Sequence, residues 1–247
     1  MHKAQLYTTA NVVQRRDAAA VLAKYRDRMT WPRHCDVLDV GCGSGDVTCN
    51  LLLPQLRSCR SLVGVDVSPA MVSFAAANHQ HPQINFRCLD IVATERPRNY
   101  FPHGFQKIFS FYCLHWVSDQ RRAMMNMYEL LEPNGELLLV FLAQNPIFTA
   151  YERLAAGNKW GKYMQDDVHR FISPYHHSAE PHLELRNYLE TVGFRVEDCE
   201  CLEQSFTFPS PHLLKSAAKA VNPFLERIPS YLHDEYLNDC VNEIEVF

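Results

Sequence analysis

Three glycines within five residues, Gly41-Cys42-Gly43-Ser44-Gly45, follow the largely apolar run Asp36-Val37-Leu38-Asp39-Val40. Glycine removes the Cβ where a backbone must turn sharply and pass close to a ligand. A large molecule is therefore expected across this loop, against Gly41 and Gly43. Two phosphate-binding readings fail. A dinucleotide fingerprint needs a third glycine where this chain has Asp46, an anion where the pyrophosphate would lie. A nucleoside triphosphate loop needs a closing Gly-Lys-Ser/Thr, and none follows. The acid that precedes the loop, Asp39, suits the positive end of a zwitterionic amino acid.

Two more acids stand at the ends of apolar runs. Asp66 closes Ser61-Leu62-Val63-Gly64-Val65 and, with Val67 beside it, stands where a carboxylate can accept both hydroxyls of a ribose. Asp90 follows Ile84 to Leu89, placed to meet an adenine amino group while Ile91 packs on the ring. An amino-acid end, a ribose and an adenine together describe S-adenosylmethionine, whose ammonium and sulfonium also fit acidic surroundings. Plainer roles compete: Asp39 ordering the loop, Asp66 capping the next helix, Asp90 opening a turn. No His, Cys and Asp spacing suggests a metal, and none is expected.

On the acceptor side, amino-group methylation of DNA or protein often goes with an Asn/Asp-Pro-Pro-Tyr type sequence after the fourth strand. This chain instead reads Phe109-Ser110-Phe111-Tyr112-Cys113-Leu114-His115-Trp116. His115 and Trp116 fall at that strand's carboxyl end. An indole N–H donates but cannot ionise, so Trp116 can orient a carboxylate without quenching it by ion pairing.

That segment, with Ala4-x-Leu6-Tyr7, Asn11-x-Val13-Gln14-Arg15-Arg16-Asp17-Ala18, Arg170-Phe171-Ile172-Ser173-Pro174-Tyr175-His176 and Val221-Asn222-Pro223-Phe224, closely resembles the insect juvenile hormone acid methyltransferases over essentially the whole chain. The resemblance implies a class I, Rossmann-like methyltransferase that turns farnesoic acid or juvenile hormone acid into its methyl ester in juvenile hormone biosynthesis. It also implies Gln14 and Trp116 as carboxylate contacts, with His115 as a third; plant carboxyl methyltransferases similarly clamp a carboxylate between a glutamine and a tryptophan. Tyr151, Trp160, Phe171, Tyr175 and Phe224 are candidates to line an isoprenoid tunnel, or are ordinary core. Gln14 as an exposed helix residue, Trp116 as core and His115 as a structural histidine are the competing readings. Arg15 and Arg16 keep a small polar acid such as aconitate in view, and a fatty-acid substrate or a shortened, non-catalytic homologue also stays open. The family usually adds a last strand rich in valine and tyrosine, whereas this chain ends Glu245-Val246-Phe247 in an expected helix. A missing final strand and an exposed sheet edge are expected.

The elements that must position these residues alternate. Strands are expected at 36–40, 61–66, 84–89, 106–112 and 136–142, with helices between them: one over 12–29 capped by Asn11, one from Asp46, one opened by Ser68 and Pro69, and one capped by Ser118 and running to Glu132. Such alternation implies an α/β doubly wound parallel sheet that binds its ligand at the strands' carboxyl ends. After Asn145-Pro146 come helical or irregular segments at 147–157 and 160–175, a helix and strand within 183–201, and helices at 209–224 and 229–247. The whole chain, 1–247, reads as one domain, with 30–145 as the cofactor-binding core and 1–29, 146–182 and 205–247 as a mainly helical cap.

Composition bounds the partners. A formal charge of −4 and a pI of 6.3 offer no basic footprint for nucleic acid. No apolar run approaches the ~20 residues of a membrane-spanning helix, and no signal-peptide core follows the first residues, so a cytoplasmic address without membrane insertion is expected. The nine scattered cysteines, lacking any Cys-x-x-Cys, read as reduced thiols. A hydrophobic carboxylic acid is the expected substrate, and a homodimer is left open.

Overall fold

The computed structural model describes residues 4–245. In β1 (Cys35–Val40) every residue is buried; Leu38 and Val40 face one apolar cluster, Cys35 and Val37 another. This is the two-residue period of a strand whose faces are both covered. β2 (Cys59–Asp66), β3 (Ile84–Cys88), β4 (Phe105–Phe111) and β5 (Leu131–Val140) complete a parallel sheet in the order β3-β2-β1-β4-β5. Strand order reverses between β1 and β4, and the crevice outside their carboxyl ends is where open parallel sheets take their ligands.

Nine helices are described: α1 (Ala4–Ala10), α2 (Val12–Tyr25), α3 (Pro69–Asn78), α4 (Gln120–Leu130), α5 (Pro146–Ala156), α6 (Gly161–Met164), α7 (Pro181–Val192), α8 (Pro211–Val221) and α9 (His233–Glu245). α3 starts as its sequence dictates, with the Ser68 hydroxyl accepting from the Met71 N–H at 3.4 Å and Pro69 in the first turn. α4 does not use the expected Ser118. Asp119, next to the first helical residue, accepts from the Arg122 N–H at 2.9 Å. Nor does the Asn11 side chain cap α2; it donates to Asp46 at 2.9 Å, and α2 ends at Tyr25, short of residue 29. The helix after the glycine loop begins at Asp46 but widens into π-type turns over Thr48–Leu52.

The Pro133-Asn134-Gly135 turn lies inside β5. Leu131 pairs with Phe105, Asn134 takes a left-handed φ of 62°, and Glu136 resumes pairing opposite Lys107, so the strand starts earlier than expected and bulges at its turn residues. Helix is also sparser than expected over 160–175: α6 is one short turn, followed by a 3-10 turn at Val168–Phe171.

The strand expected after α7 does not form. Residues 194–208 run along α2, where Tyr25 donates to Asp198 at 2.8 Å, Lys24 pairs with Glu200 at 2.8 Å and Arg16 donates to the Ser205 carbonyl at 2.7 Å. An alternating sequence becomes a strand only beside a backbone that accepts its ladder, and here side chains of α2 hold it instead. Five strands therefore make the sheet among the described residues, with β3 and β5 at its edges; α9 reaches Glu245, and Val246 and Phe247 lie outside the described residues. α5, α6 and α9 enclose a separate aromatic cluster, the cap cluster. Among the described residues no helix is long and apolar enough to cross a membrane. All nine cysteines are free.

Candidate active site

The glycine loop is shaped by contacts that exclude a Cβ. Gly41 has a φ of 79°, and a Cβ there would collide with the Cys113 side chain; one at Gly45 would lie 2.8 Å from Ala75 and Phe86. The Gly41 and Cys42 N–H groups donate to the Val65 carbonyl at 2.7 and 3.0 Å, docking the loop on the end of β2. Asp66 then holds the loop from outside: one carboxylate oxygen accepts from Gly43 N–H and the other from Ser68 N–H, both at 2.9 Å. Asp66 thus orders loop and helix at once, and burial raises its pKa. Val67 beside it is exposed.

Asp39 is buried beneath the loop, accepts from the Thr48 hydroxyl at 2.6 Å and has no ion-pair partner among the described residues. Burial lifts its carboxyl to about 7. Asp46, by contrast, accepts from Arg15 at 2.5 Å, Asn11 at 2.9 Å and Asn50 at 2.8 Å, so the anion that argued against a pyrophosphate is already neutralised. Asp90 is exposed and opens a turn, accepting from Val92 N–H at 2.8 Å. Ile91 is buried in the core between sheet and α4.

At the end of β4 the chain turns through Tyr112, whose φ is 56° and whose hydroxyl donates to Asp17 on α2. His115 and Trp116 follow in a single 3-10 turn. His115 is buried and its Nδ1 accepts from the Leu142 N–H at 3.3 Å, so its proton sits on Nε2. Burial lowers its pKa to about 3, and the ring is a neutral structural element near pH 7. Trp116 is half-buried, 4.7 Å from the His115 ring and 5.9 Å from Phe148, and among the described residues its indole N–H has no hydrogen-bond partner. Gln14, half-buried and likewise without a hydrogen bond among the described residues, precedes Asp17 by three positions on α2. Residues at that spacing share a helix face, so Gln14 lies on the side that Asp17 ties to the end of β4.

Four of the five aromatic candidates come together. Tyr151, Trp160 and Phe224 are buried in the cap cluster, with Phe171 and Trp116 packed against it; the Phe224 ring lies 5.2 Å from Tyr151 and 5.1 Å from Phe171. Trp160 is anchored to α9, donating to Asp239 at 2.8 Å. Tyr175 stands apart against Phe141, 5.7 Å away. Surface clefts lined by Ala76, His79 and Asn85, and by Leu53, Pro54 and Gln83, open near the amino ends of β2 and β3 and take no part in this arrangement.

A family profile described as a methyltransferase domain matches residues 37–135, the span from β1 through the bulge of β5. Juvenile hormone acid O-methyltransferase from Drosophila melanogaster is 40% identical over 246 residues, covering 98% of this chain and 82% of that protein. The chain belongs to the juvenile hormone acid O-methyltransferase family. The protein of the same name from Bombyx mori is 36% identical, over 99% of this chain and 86% of its own. A solved S-adenosylmethionine-dependent methyltransferase from Mesorhizobium loti shares the fold, with a TM-score of 0.52 at 20% identity over 74% of this chain and 84% of that one. The chain is thus a methyltransferase on a Rossmann-like sheet.

Several residues of this family member's site escape a reading by spacing. A Cβ at Gly43 would lie 3.7 Å from the Tyr7 ring, so α1 lays that ring over the loop. Burial, reinforced by Asp66, Cys113, Asp46 and Asp39, holds the Tyr7 phenol above its ordinary pKa. Thr48 under Asp39, Cys113 against Gly41 and Asp17 on Tyr112 are equally tertiary. Tyr7 lies within a motif that carries the family resemblance, which is the one sequence signal pointing to it.

Proposed function

We propose that this chain transfers a methyl group from S-adenosylmethionine to the carboxylate of a hydrophobic, isoprenoid-type acid, farnesoic acid or juvenile hormone acid. The observation that carries the acceptor half is the Trp116 N–H, unpaired among the described residues, at the β4 carboxyl end and beside the aromatic cap cluster. The Drosophila melanogaster and Bombyx mori relatives, both juvenile hormone acid O-methyltransferases, support the same reading.

The residues fit the cofactor. Asp39 is a buried carboxylate with no cation of its own among the described residues, and Gly43 presents a bare backbone beneath the Tyr7 ring. Asp39 would face the cofactor's positive amino-acid end, Asp66 and Val67 its ribose, and Asp90 its adenine, while Ile91, buried against α4, backs that turn from the core instead of packing on the ring. When bound, the cofactor supplies an electrophilic methyl group on a sulfonium.

The protein's task is positioning. A carboxylate is already ionised at neutral pH, with a reference pKa near ~4, so no general base is required and a neutral His115 is not at odds with the reaction. Gln14 and Trp116 orient the acid with uncharged donors and leave its oxygen nucleophilic. Holding reacting atoms in line at about 3 Å can supply roughly 7–11 kcal/mol. Tyr151, Phe171 and Phe224 exclude water and receive the tail, at ~25 cal/mol per Å2 of apolar surface buried. Trp160 shapes that cluster from the α9 side, and Tyr175, packed on Phe141, lies outside it.

Arg15 pairs with Asp46 and Arg16 with Asp17, at 2.5 and 2.7 Å. Neither is free for a short polyacid, which disfavours an aconitate-like substrate. The unit at work is one domain over 1–247, a cytoplasmic enzyme that acts on a small molecule.

Transfer of labelled methyl from S-adenosylmethionine to farnesoic acid, with a short dicarboxylic acid in parallel, tests this reading. Ester from farnesoic acid that is lost in Gln14→Ala and Trp116→Ala supports it. Ester from the dicarboxylic acid alone moves the substrate class, and cofactor binding with no ester makes the chain a non-catalytic homologue.

A further inference from the structure

Outside the methyl-transfer site, α5 and the loop after Phe171 bring together three side chains with metal-ligand chemistry. Ligand atoms of Glu152, His176 and His177 all lie within 4.8 Å of one another. The His177 Nε2 is 2.7 Å from one Glu152 oxygen, the His176 Nε2 is 3.9 Å from the other, and the two imidazole rings are 4.7 Å apart. Two imidazoles and one carboxylate make a ligand set of zinc and its neighbours in the first transition row. Glu152 and the histidine pair are far apart in sequence, so only the packing of the loop on α5 assembles them.

A second observation concerns His176 alone. Its side chain is 9% exposed, its Nε2 is 3.2 Å from the Thr149 hydroxyl, and its Nδ1 is buried with no hydrogen-bond partner among the described residues. A buried ring nitrogen without a partner is costly. An ion on Nδ1, with the Thr149 hydroxyl kept on Nε2, would satisfy the ring, the arrangement of metal-bound histidines with an outer hydrogen bond. The loop is already held: Ser173 donates to the Leu142 carbonyl at 2.9 Å, the His176 N–H donates to the Ser173 carbonyl at 2.9 Å, and Gln144 donates to the Ser178 carbonyl at 3.1 Å.

We propose that Glu152, His176 and His177 form a binding site for one divalent transition-metal ion of the zinc class. Three protein ligands leave at least one position to water. Bonds of about 2.0–2.1 Å place tetrahedral ligand atoms roughly 3.4 Å apart, so the cluster must contract, mainly through the exposed His177 side chain. The ion pins the loop to α5. The Phe148 ring on α5 lies 5.4 Å from His176 and 5.9 Å from Trp116, so the site stands one aromatic ring behind the acceptor site. It serves as structural or inhibitory control, separate from the methyl-transfer chemistry.

The test is equilibrium dialysis of the reduced full chain against Zn2+, with the visible spectrum of the Co2+ form. One ion per chain is expected, with a cobalt spectrum free of thiolate charge-transfer bands and affinity at least about 10-fold weaker in His177→Ala and Glu152→Gln. His177 is exposed, so its replacement leaves the fold intact, and a Zn2+-dependent rise in Tm that vanishes in His177→Ala is a second readout. Absence of stoichiometric binding, unchanged affinity in both variants, or thiolate bands marking the free cysteines as the ligands would each overturn the site.

Discussion

The Tyr112 hydroxyl donates to the Asp17 carboxylate, tying the left-handed turn at the end of β4 to α2. Asp17 also accepts from Arg16 at 2.7 Å, and Arg16 reaches the Ser205 carbonyl. The helix that carries Gln14 is therefore registered against the turn that leads to Trp116 through one buried phenol. Tyr112→Phe should cost about 1.5 kcal/mol, the worth of a hydrogen bond to a charged group. It should raise KM for the acid more than for S-adenosylmethionine. Denaturant unfolding and steady-state kinetics check this, and unchanged stability with both KM values unmoved would show the tie to be idle.

Trp116→Phe keeps the ring among Phe148 and the cap and deletes only the N–H. The acid's charge is largest in the ground state and falls as the ester forms, so the lost hydrogen bond weakens binding more than it slows the chemical step. KM for farnesoic acid should rise roughly 10-fold or more, with a smaller fall in kcat. A fall in kcat at constant KM would instead give the indole a role in the transition state.

Asp39 makes stability depend on pH in a definite direction. Its folded-state pKa of about 7 lies above the unfolded carboxylate value, so between the two the folded chain holds a proton that the unfolded chain has released. Unliganded stability should therefore fall as pH rises from about 4 to 7, and Asp39→Asn should flatten that part of the profile. A cationic ligand favours the ionised form, so affinity for S-adenosylmethionine should rise through pH 7 in the wild type and be weak and flat in the variant. Thermal melts across pH, with and without cofactor, decide it.

The Tyr151 hydroxyl is fully buried in the cap cluster and, among the described residues, has no hydrogen-bond partner. Removing an unsatisfied buried polar group should stabilise the unliganded protein, so Tyr151→Phe should raise stability by about 1 kcal/mol. A loss of stability on chemical denaturation would mean that the phenol is satisfied in solution.

What the sequence determined by itself was local or periodic. The glycine loop, the acids at strand ends, the β-loop-α alternation and the Ser68-Pro69 helix start are dictated by dihedral preference and two-residue periodicity, which act over a few neighbours, and all are present. Family membership was legible for the same reason, in motifs spread over the whole chain. Tertiary structure decided whatever needs a second segment. The alternating residues 194–208 form no strand because α2, not a neighbouring backbone, takes their contacts. Asn11 gives up its capping position to meet Asp46, which lies near it only after folding. Packing made His115 a neutral buried ring, placed Ile91 in the core, separated Tyr175 from the other aromatic residues, and brought Glu152 to two histidines. Burial and electrostatic coupling depend on distance in space, and no spacing in a linear sequence encodes that distance.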